Sequence, residues 1–366
     1  MIDRRAFLST SSAMVLALCG KATAATGPGS AAAARLDTLF EAFMAEQISL
    51  APEMATAFGI DSGANSALKG RLSDASPKGI AARKALAASE LSRLNGIDRK
   101  ALSGLDAVNY DAVHYDLALQ NRMGKRFAFD GAPYVLSQLT GAYQSVPDFL
   151  DSLHTIENKD DADAYLSRLA AFAVQMDQEC ESVRHDVGLG VVPPDFAVAG
   201  ALKQMEDLRR APAERSTLAA SIARRTKERG IAGDYAASAA RIVNDKVYPA
   251  LDRQIALMKD VRKKAKHDAG VWHLPDGEAY YAASLEEQTT TAKTPAEVHA
   301  LGLDVVRKCT AEIDAIMKAH GMTKGSVGAR LHAMFADPKF IYPDTDAGKA
   351  KLIADLNKKV ARVQAL

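Results

Sequence analysis

DDADAYLSRLAAFAVQMDQECESVRHDV, residues 160–187, reads as one long helix. Tyr165, Leu166, Leu169, Phe172 and Met176 recur at the spacing of a single helix face. The pattern stops at Gly188-Leu-Gly190-Val-Val-Pro193-Pro194, where paired Gly and Pro forbid its continuation. A helix of this length needs other helices to cover its apolar stripe, and the chain supplies them on both sides.

Toward the amino terminus, Leu36, Leu39, Phe40, Phe43 and Met44 mark a helix from Ala31, which Pro52 restarts and Gly59 ends. Residues 60–77 read as a polar surface loop. Helices follow at 78–95 and 99–123, with Gly96 and Gly124 as stops. The second, with Leu105, Val108, Tyr110, Val113, Tyr115, Leu117 and Leu119, is apolar on more than one side and reads as a central helix. Residues 125–146 look extended, and a helix is expected from Pro147. Toward the carboxyl terminus, helices are expected at 195–209, 213–228 and 232–264, the last kinked at Pro249. Thr294-Pro295-Ala296-Glu297 has the residues of an N-cap, a first-turn Pro and a capping box.

Composition agrees with these patterns. Nearly a fifth of the 366 residues are Ala, the best helix former, and aromatics are only 6%. The fold class is therefore all-α: a multi-helix array with short irregular or strand-like segments. Lys+Arg 46 against Asp+Glu 45 leaves a formal charge of +1, which gives no electrostatic case for a nucleic-acid partner.

The first residues have the plan of an export signal. Arg4-Arg5 with Phe7-Leu8 resembles a twin-arginine address; a short apolar stretch and Ala22-Thr23-Ala24 follow. That apolar stretch is too short to span a bilayer, so no membrane span is expected. The division read from sequence is 1–24 export signal, 25–30 linker and 31–366 helical domain, with a soft internal boundary near 190–194. The expected location is periplasmic or extracellular. Cys180 and Cys309 sit in helical patterns and are expected to be buried small hydrophobes rather than a disulfide.

Chemistry-bearing motifs are sparse. None of the eight His is followed by Glu, and no two His lie three or four positions apart, so the helical zinc-peptidase signature is missing. Gly-x-Ser-x-Gly elbows, phosphate loops and dinucleotide fingerprints are missing too. The aromatic and turn residues of Gly270-Val-Trp272-His273-Leu-Pro275-Asp276-Gly277, with Tyr280-Tyr281 beyond, form the most distinctive stretch.

The order of Pro52-Glu-Met-Ala-Thr56-Ala-Phe58-Gly59, Asn109-Tyr110-Asp111, Ser137-Gln138-Leu139 and Pro147-Asp148-Phe149-Leu150 resembles one family. So do Tyr165–Leu169, Val247-Tyr248-Pro249-Ala250-Leu251, Leu274–Gly277 with Tyr280-Tyr281, and Thr294–Gly302. It is the bacterial domain-of-unknown-function family 885, exported and mostly helical proteins regarded as zinc-peptidase-like. The resemblance implies a larger helical peptidase-like fold, and a substrate-cleft role for Tyr280, Tyr281 and His299. The family's zinc motif lies further toward the carboxyl terminus than any residue here, so no ligand carries over. Zinc is expected only for a full-length relative, and no cofactor for this chain. The chain ends inside an amphipathic pattern (Leu352, Ile353, Leu356, Val360, Val363) and reads as the N-terminal scaffold portion of such a protein. Self-association through unburied helical faces and a peptide substrate are the expected partners. The alternative is a non-catalytic exported helical protein that binds a peptide or small ligand.

Overall fold

The computed structural model describes residues 31–129 and 133–365. The expected export signal and linker lie outside these residues. Helices dominate, and among the described residues the only β-pairing is a single antiparallel bridge between Ser137 and Thr140. The all-α class holds. The chain divides into two compact units, one ending at Thr289 and one starting at Thr290. Gly190–Pro194 lies within the first.

The first unit contains α1 (Ala31–Leu50), α2 (Pro52–Ala57), α3 (Pro77–Leu94), α4 (Gly104–Arg126), α5 (Ala142–Ser152) and α6 (Lys159–Gly188). These are followed by α7 (Asp195–Arg210), α8 (Thr217–Glu228), α9 (Tyr235–Ile242), α10 (Tyr248–Arg262) and α11 (Gly277–Thr289). Helix α6 organises the larger core: Tyr165, Leu169, Phe172 and Met176 are fully buried against residues of α5 and α7–α10. Asn158 caps it by accepting from the Asp161 N–H. A second core gathers Leu36, Phe40, Phe43, Leu94, Tyr110 and Leu117 from α1, α3 and α4.

Several boundaries differ from the sequence reading, each for a tertiary reason. Helix α4 runs through Gly124, because Lys84 of α3 lies across that glycine and its ammonium donates to the carbonyls of Phe127 and Phe129 just beyond. Helix α5 starts five residues before Pro147, because the buried Glu179 carboxylate accepts from the Ala142 N–H at 2.7 Å and anchors the first turn there. Residues 63–70, expected in a polar loop, form 3₁₀ turns around the buried Leu68. The bend expected at Pro249 is preceded by a π-helical turn, Val243–Val247.

Helix α4 is not buried on all sides. Leu105, Val108 and Tyr115 form an exposed apolar row, so the expectation of a fully central helix is corrected. The cysteine expectation is half right. Cys180 is buried, whereas Cys309 is exposed, and both are free thiols.

The second unit contains α12 (Pro295–Ala319), α13 (Val327–Ala336) and α14 (Asp346–Gln364). The expected capping box is present: Thr294 Oγ1 accepts from the Glu297 N–H, and Glu297 accepts from the Thr294 N–H at 2.8 Å. Of the residues in these three helices only Met317, Arg330 and Gly348 are buried. Arg330 is held by Asp314 and by the Met322 carbonyl at 2.7 Å.

Candidate functional site

Three irregular stretches converge in the first unit: the chain after α4, the α6–α7 connection and the segment between α10 and α11. The Asp195 N–H donates to the Lys266 carbonyl at 3.0 Å, and His267 pairs with the Asp195 carboxylate at 2.8 Å. His273 reaches the Val192 carbonyl at 3.4 Å. Phe127, Phe129, Val191, Leu274 and Tyr280 share a small apolar core beneath these loops. Beside it, Tyr134, Leu136, Asp186, Val191 and Pro193 line a crevice of about 10 Å³, room for one water.

Leu274-Pro275-Asp276-Gly277 has a geometric purpose. Asp276 has φ 57, a left-handed conformation that Asp tolerates better than most residues. Gly277 admits no side chain, since a Cβ would fall 2.0 Å from the Val271 carbonyl oxygen. Arg126, at the end of α4, grips the Asp276 carboxylate with two N–H groups at 2.8 and 3.2 Å and holds its pKa below the usual range. The Asp276 carbonyl then accepts from the Tyr280 N–H and starts α11.

Of the cleft candidates, Tyr280 is 4% exposed, with its ring edge-on to Phe127 at 5.2 Å and close to Phe129 at 5.3 Å. Tyr281, one position along the helix, is half exposed. His299 lies exposed on α12, in the second unit, so the three do not belong to one compact body.

The loops also carry an exposed surface that the sequence marked only in part. Trp272 is 72% exposed; its indole packs on Gly270 and donates to Asp268 at 3.2 Å. Phe196 meets the His267 ring edge-on at 5.6 Å. Aromatic faces beside two carboxylates suit a ligand with both apolar and cationic parts.

The described histidine contacts do not pair a ring with a nucleophile. The hydrogen-bonded histidines use their rings on Asn95 (His114), on Arg168 and the Asp161 carbonyl (His154), on Asp186 (His185), on Asp195 (His267) and on the Val192 carbonyl (His273). None of these contacts involves a hydroxyl or a thiol. Among the described residues no group of three or more His, Cys, Asp or Glu is placed to hold a metal ion.

The sequence reading passed over several buried ionisable groups. Arg168 is wholly buried on the apolar face of α6. Its guanidinium donates to the Arg71 carbonyl (2.9 Å), Thr56 Oγ1 (2.8 Å), the Leu68 carbonyl (3.2 Å) and His154 Nδ1 (2.9 Å). Because Nδ1 accepts there, His154 is the neutral tautomer whose Nε2–H faces the Asp161 carbonyl at 2.9 Å. Burial, reinforced by the Arg168 charge, takes its pKa down to about 4. Glu179 accepts from Ala142 and from Gln254 Nε2, and burial pushes it up to about 7. Glu90 accepts from Gln47 Nε2 at 3.0 Å, leaves Oε1 without a hydrogen bond and is likewise raised by burial to about 7. The available signal was register: Arg168 and Glu179 occupy positions that the stripe of α6 reserves for apolar residues.

No helix among the described residues is long and apolar enough to cross a membrane. A search of curated proteins finds no match. Among solved structures, the chain is similar to "the putative lipoprotein from Colwellia psychrerythraea", with a TM-score of 0.81 and 21% identity. The likeness covers 92% of this chain and 59% of that one, so the chain spans less than two thirds of its relative's length. At that identity it speaks for the fold alone. The sequence over residues 52–366 matches the family described as bacterial protein of unknown function, DUF885, and the chain belongs to that family.

Proposed function

We propose that this chain is the N-terminal scaffold portion of an exported zinc-peptidase-like protein, and that it is catalytically silent alone. The observation carrying this reading is length: nearly all of the chain is similar to 59% of a longer protein. The peptidase character comes from the family resemblance. The absence of a His-Glu motif from the sequence supports silence in the isolated chain. Purified chain should carry no stoichiometric zinc and cleave no fluorogenic peptide. One zinc per chain, with cleavage lost on chelation, would overturn the reading.

A second reading, a non-catalytic binder of a peptide or small ligand, is favoured by the exposed surface of Trp272, Phe196 and His267. Trp272 is the sole tryptophan, so its fluorescence reports that surface directly. A saturable change on titration with cationic or aromatic peptides would favour the binder.

Export is part of the proposal, to the periplasm or beyond. Changing Arg4 and Arg5 together to Lys should abolish delivery, because the pair is a receptor-read address. Unchanged delivery in cells lacking the twin-arginine pathway would leave general secretion as the route.

A further inference from the structure

Glu179 lies on the buried face of α6, 7% exposed, where it meets the first turn of α5 and the middle of α10. Its Oε1 accepts from the Ala142 N–H at 2.7 Å, and its Oε2 accepts from Gln254 Nε2 at 2.9 Å. Both donors are neutral. A buried carboxylate held only by neutral donors is costly to keep charged, and one proton removes that cost. The titratable and charged groups around it are Tyr143 of α5, Cys180 beside it, Arg184 of α6, and Asp177 of α6 with Arg253 of α10. Arg253 is already engaged by Asp177 at 2.7 Å.

Gln254 adds an independent observation. It is wholly buried, and its Oε1 has no hydrogen-bond partner among the described residues. Its Nε2 has Glu179 and a long 3.5 Å contact to the Met176 carbonyl. The oxygen and nitrogen ends of an amide have nearly the same shape, so rotation about the last side-chain bond exchanges them in the same space. With Nε2 toward Glu179, the amide serves an ionised carboxylate and leaves its own oxygen bare. With Oε1 toward Glu179, it accepts from the O–H of a protonated carboxyl and leaves an N–H bare instead. Each arrangement satisfies one end and orphans the other, so the proton decides between them.

We infer that Glu179 and Gln254 form a proton-driven toggle at the start of α5. In the ionised arrangement, the Ala142 N–H and Gln254 Nε2 both donate to the carboxylate. Uptake of one proton from solvent at Oε2 turns the Gln254 amide over. The new O–H then donates to Gln254 Oε1, and Ala142 keeps a neutral acceptor at Oε1 of Glu179. The toggle grips the turn ahead of α5. Ser137 and Thr140 bridge that turn, and the Tyr143 O–H donates to the Ser137 carbonyl at 2.6 Å. Gly141, with φ 114, lies so close to Leu136 that a Cβ would fall 2.6 Å from its side chain. Hydrogen bonds to an ionised group are roughly twice as strong as neutral ones, so the turn is held more firmly with the proton off. Leu136 lines the crevice beside Tyr134 and Asp186, so the toggle acts on one wall of it.

The experiment is NMR of the full chain labelled with 15N-alanine and 13C,15N-glutamine, titrated from about pH 5 to about pH 9. As pH falls through about 7, where burial places Glu179, the Ala142 amide proton should move upfield and Gln254 Cδ downfield. The first loses a charged acceptor and the second gains a donor. Both should share one midpoint. Glu179→Gln should leave both resonances flat, whereas Asp177→Asn, which removes the neighbouring carboxylate, should leave both titrations in place. Should Glu179→Gln not fold, the titration of the unsubstituted chain still decides. An Ala142 proton that does not move across this range would overturn the toggle. So would a Gln254 Cδ that stays still while Ala142 moves, because the carboxyl would then titrate without turning the amide.

Discussion

Arg168→Ala should destabilise the first unit by about 4 kcal/mol, read from urea unfolding followed by circular dichroism. The guanidinium is fully buried and donates to carbonyls of Leu68 and Arg71, to the Thr56 hydroxyl and to the His154 ring. It also lies over the Phe149 ring at 4.8 Å. Truncation orphans several acceptors at once, each costing about 1–3 kcal/mol when left unpaired, and leaves a cavity. Against a total stability of about 5–15 kcal/mol the loss is large. Because Arg168 joins α2 and the 63–70 turns to α6, limited proteolysis should cut first near those turns. A change below about 1 kcal/mol would show that water or neighbouring groups replace the guanidinium.

The second large effect is on pH. Glu90 and Glu179 are both raised to about 7 in the folded chain, above the ordinary carboxylate value. The fold therefore holds their protons more tightly than the unfolded chain does. Their contribution is complete below about pH 4.5 and is lost as pH rises through 7, about 3 kcal/mol for each group. His154 acts in the opposite sense. Its depressed pKa of about 4 gives stability that is present above about 6.5 and is lost as pH falls through 4. Two groups lose stability on alkalinisation and one gains it, so the chain should be less stable at pH 8 than at pH 5 by about 3 kcal/mol. Glu179→Gln and Glu90→Gln together should reverse that slope, leaving a rise of about 2 kcal/mol from pH 5 to 8 that His154 supplies. Denaturation midpoints of the unsubstituted chain that rise from pH 5 to 8 would refute the assignment.

Much of the fold was legible because helix formation is local. The stripe from Tyr165 to Met176, the Pro52 restart, the break at 188–194 and the Thr294–Glu297 capping box all appear where periodicity and cap chemistry place them. The loop cluster of 265–277 was legible as a place of interest, since helix formers do not read Gly-Val-Trp-His-Leu-Pro-Asp-Gly. Its partners were not. His267 neighbours Asp268 in sequence but pairs with Asp195, 72 positions away. Asp268 accepts from Trp272 instead. Only the approach of α7 to the end of α10 chooses between those carboxylates.

Sequence alone determined the all-α class, the helix starts set by caps and prolines, and family membership, because each depends on residue type at short spacing. Tertiary structure decided what depends on meetings between distant segments. A carboxylate of α6 starts α5 ahead of its proline, and Lys84 carries α4 past Gly124. The burial of Arg168, Glu90 and Glu179 was decided in the same way. A charged residue on an apolar stripe reads the same whether it reaches solvent or is enclosed, and only the packed neighbours supply its partners and shift its proton affinity.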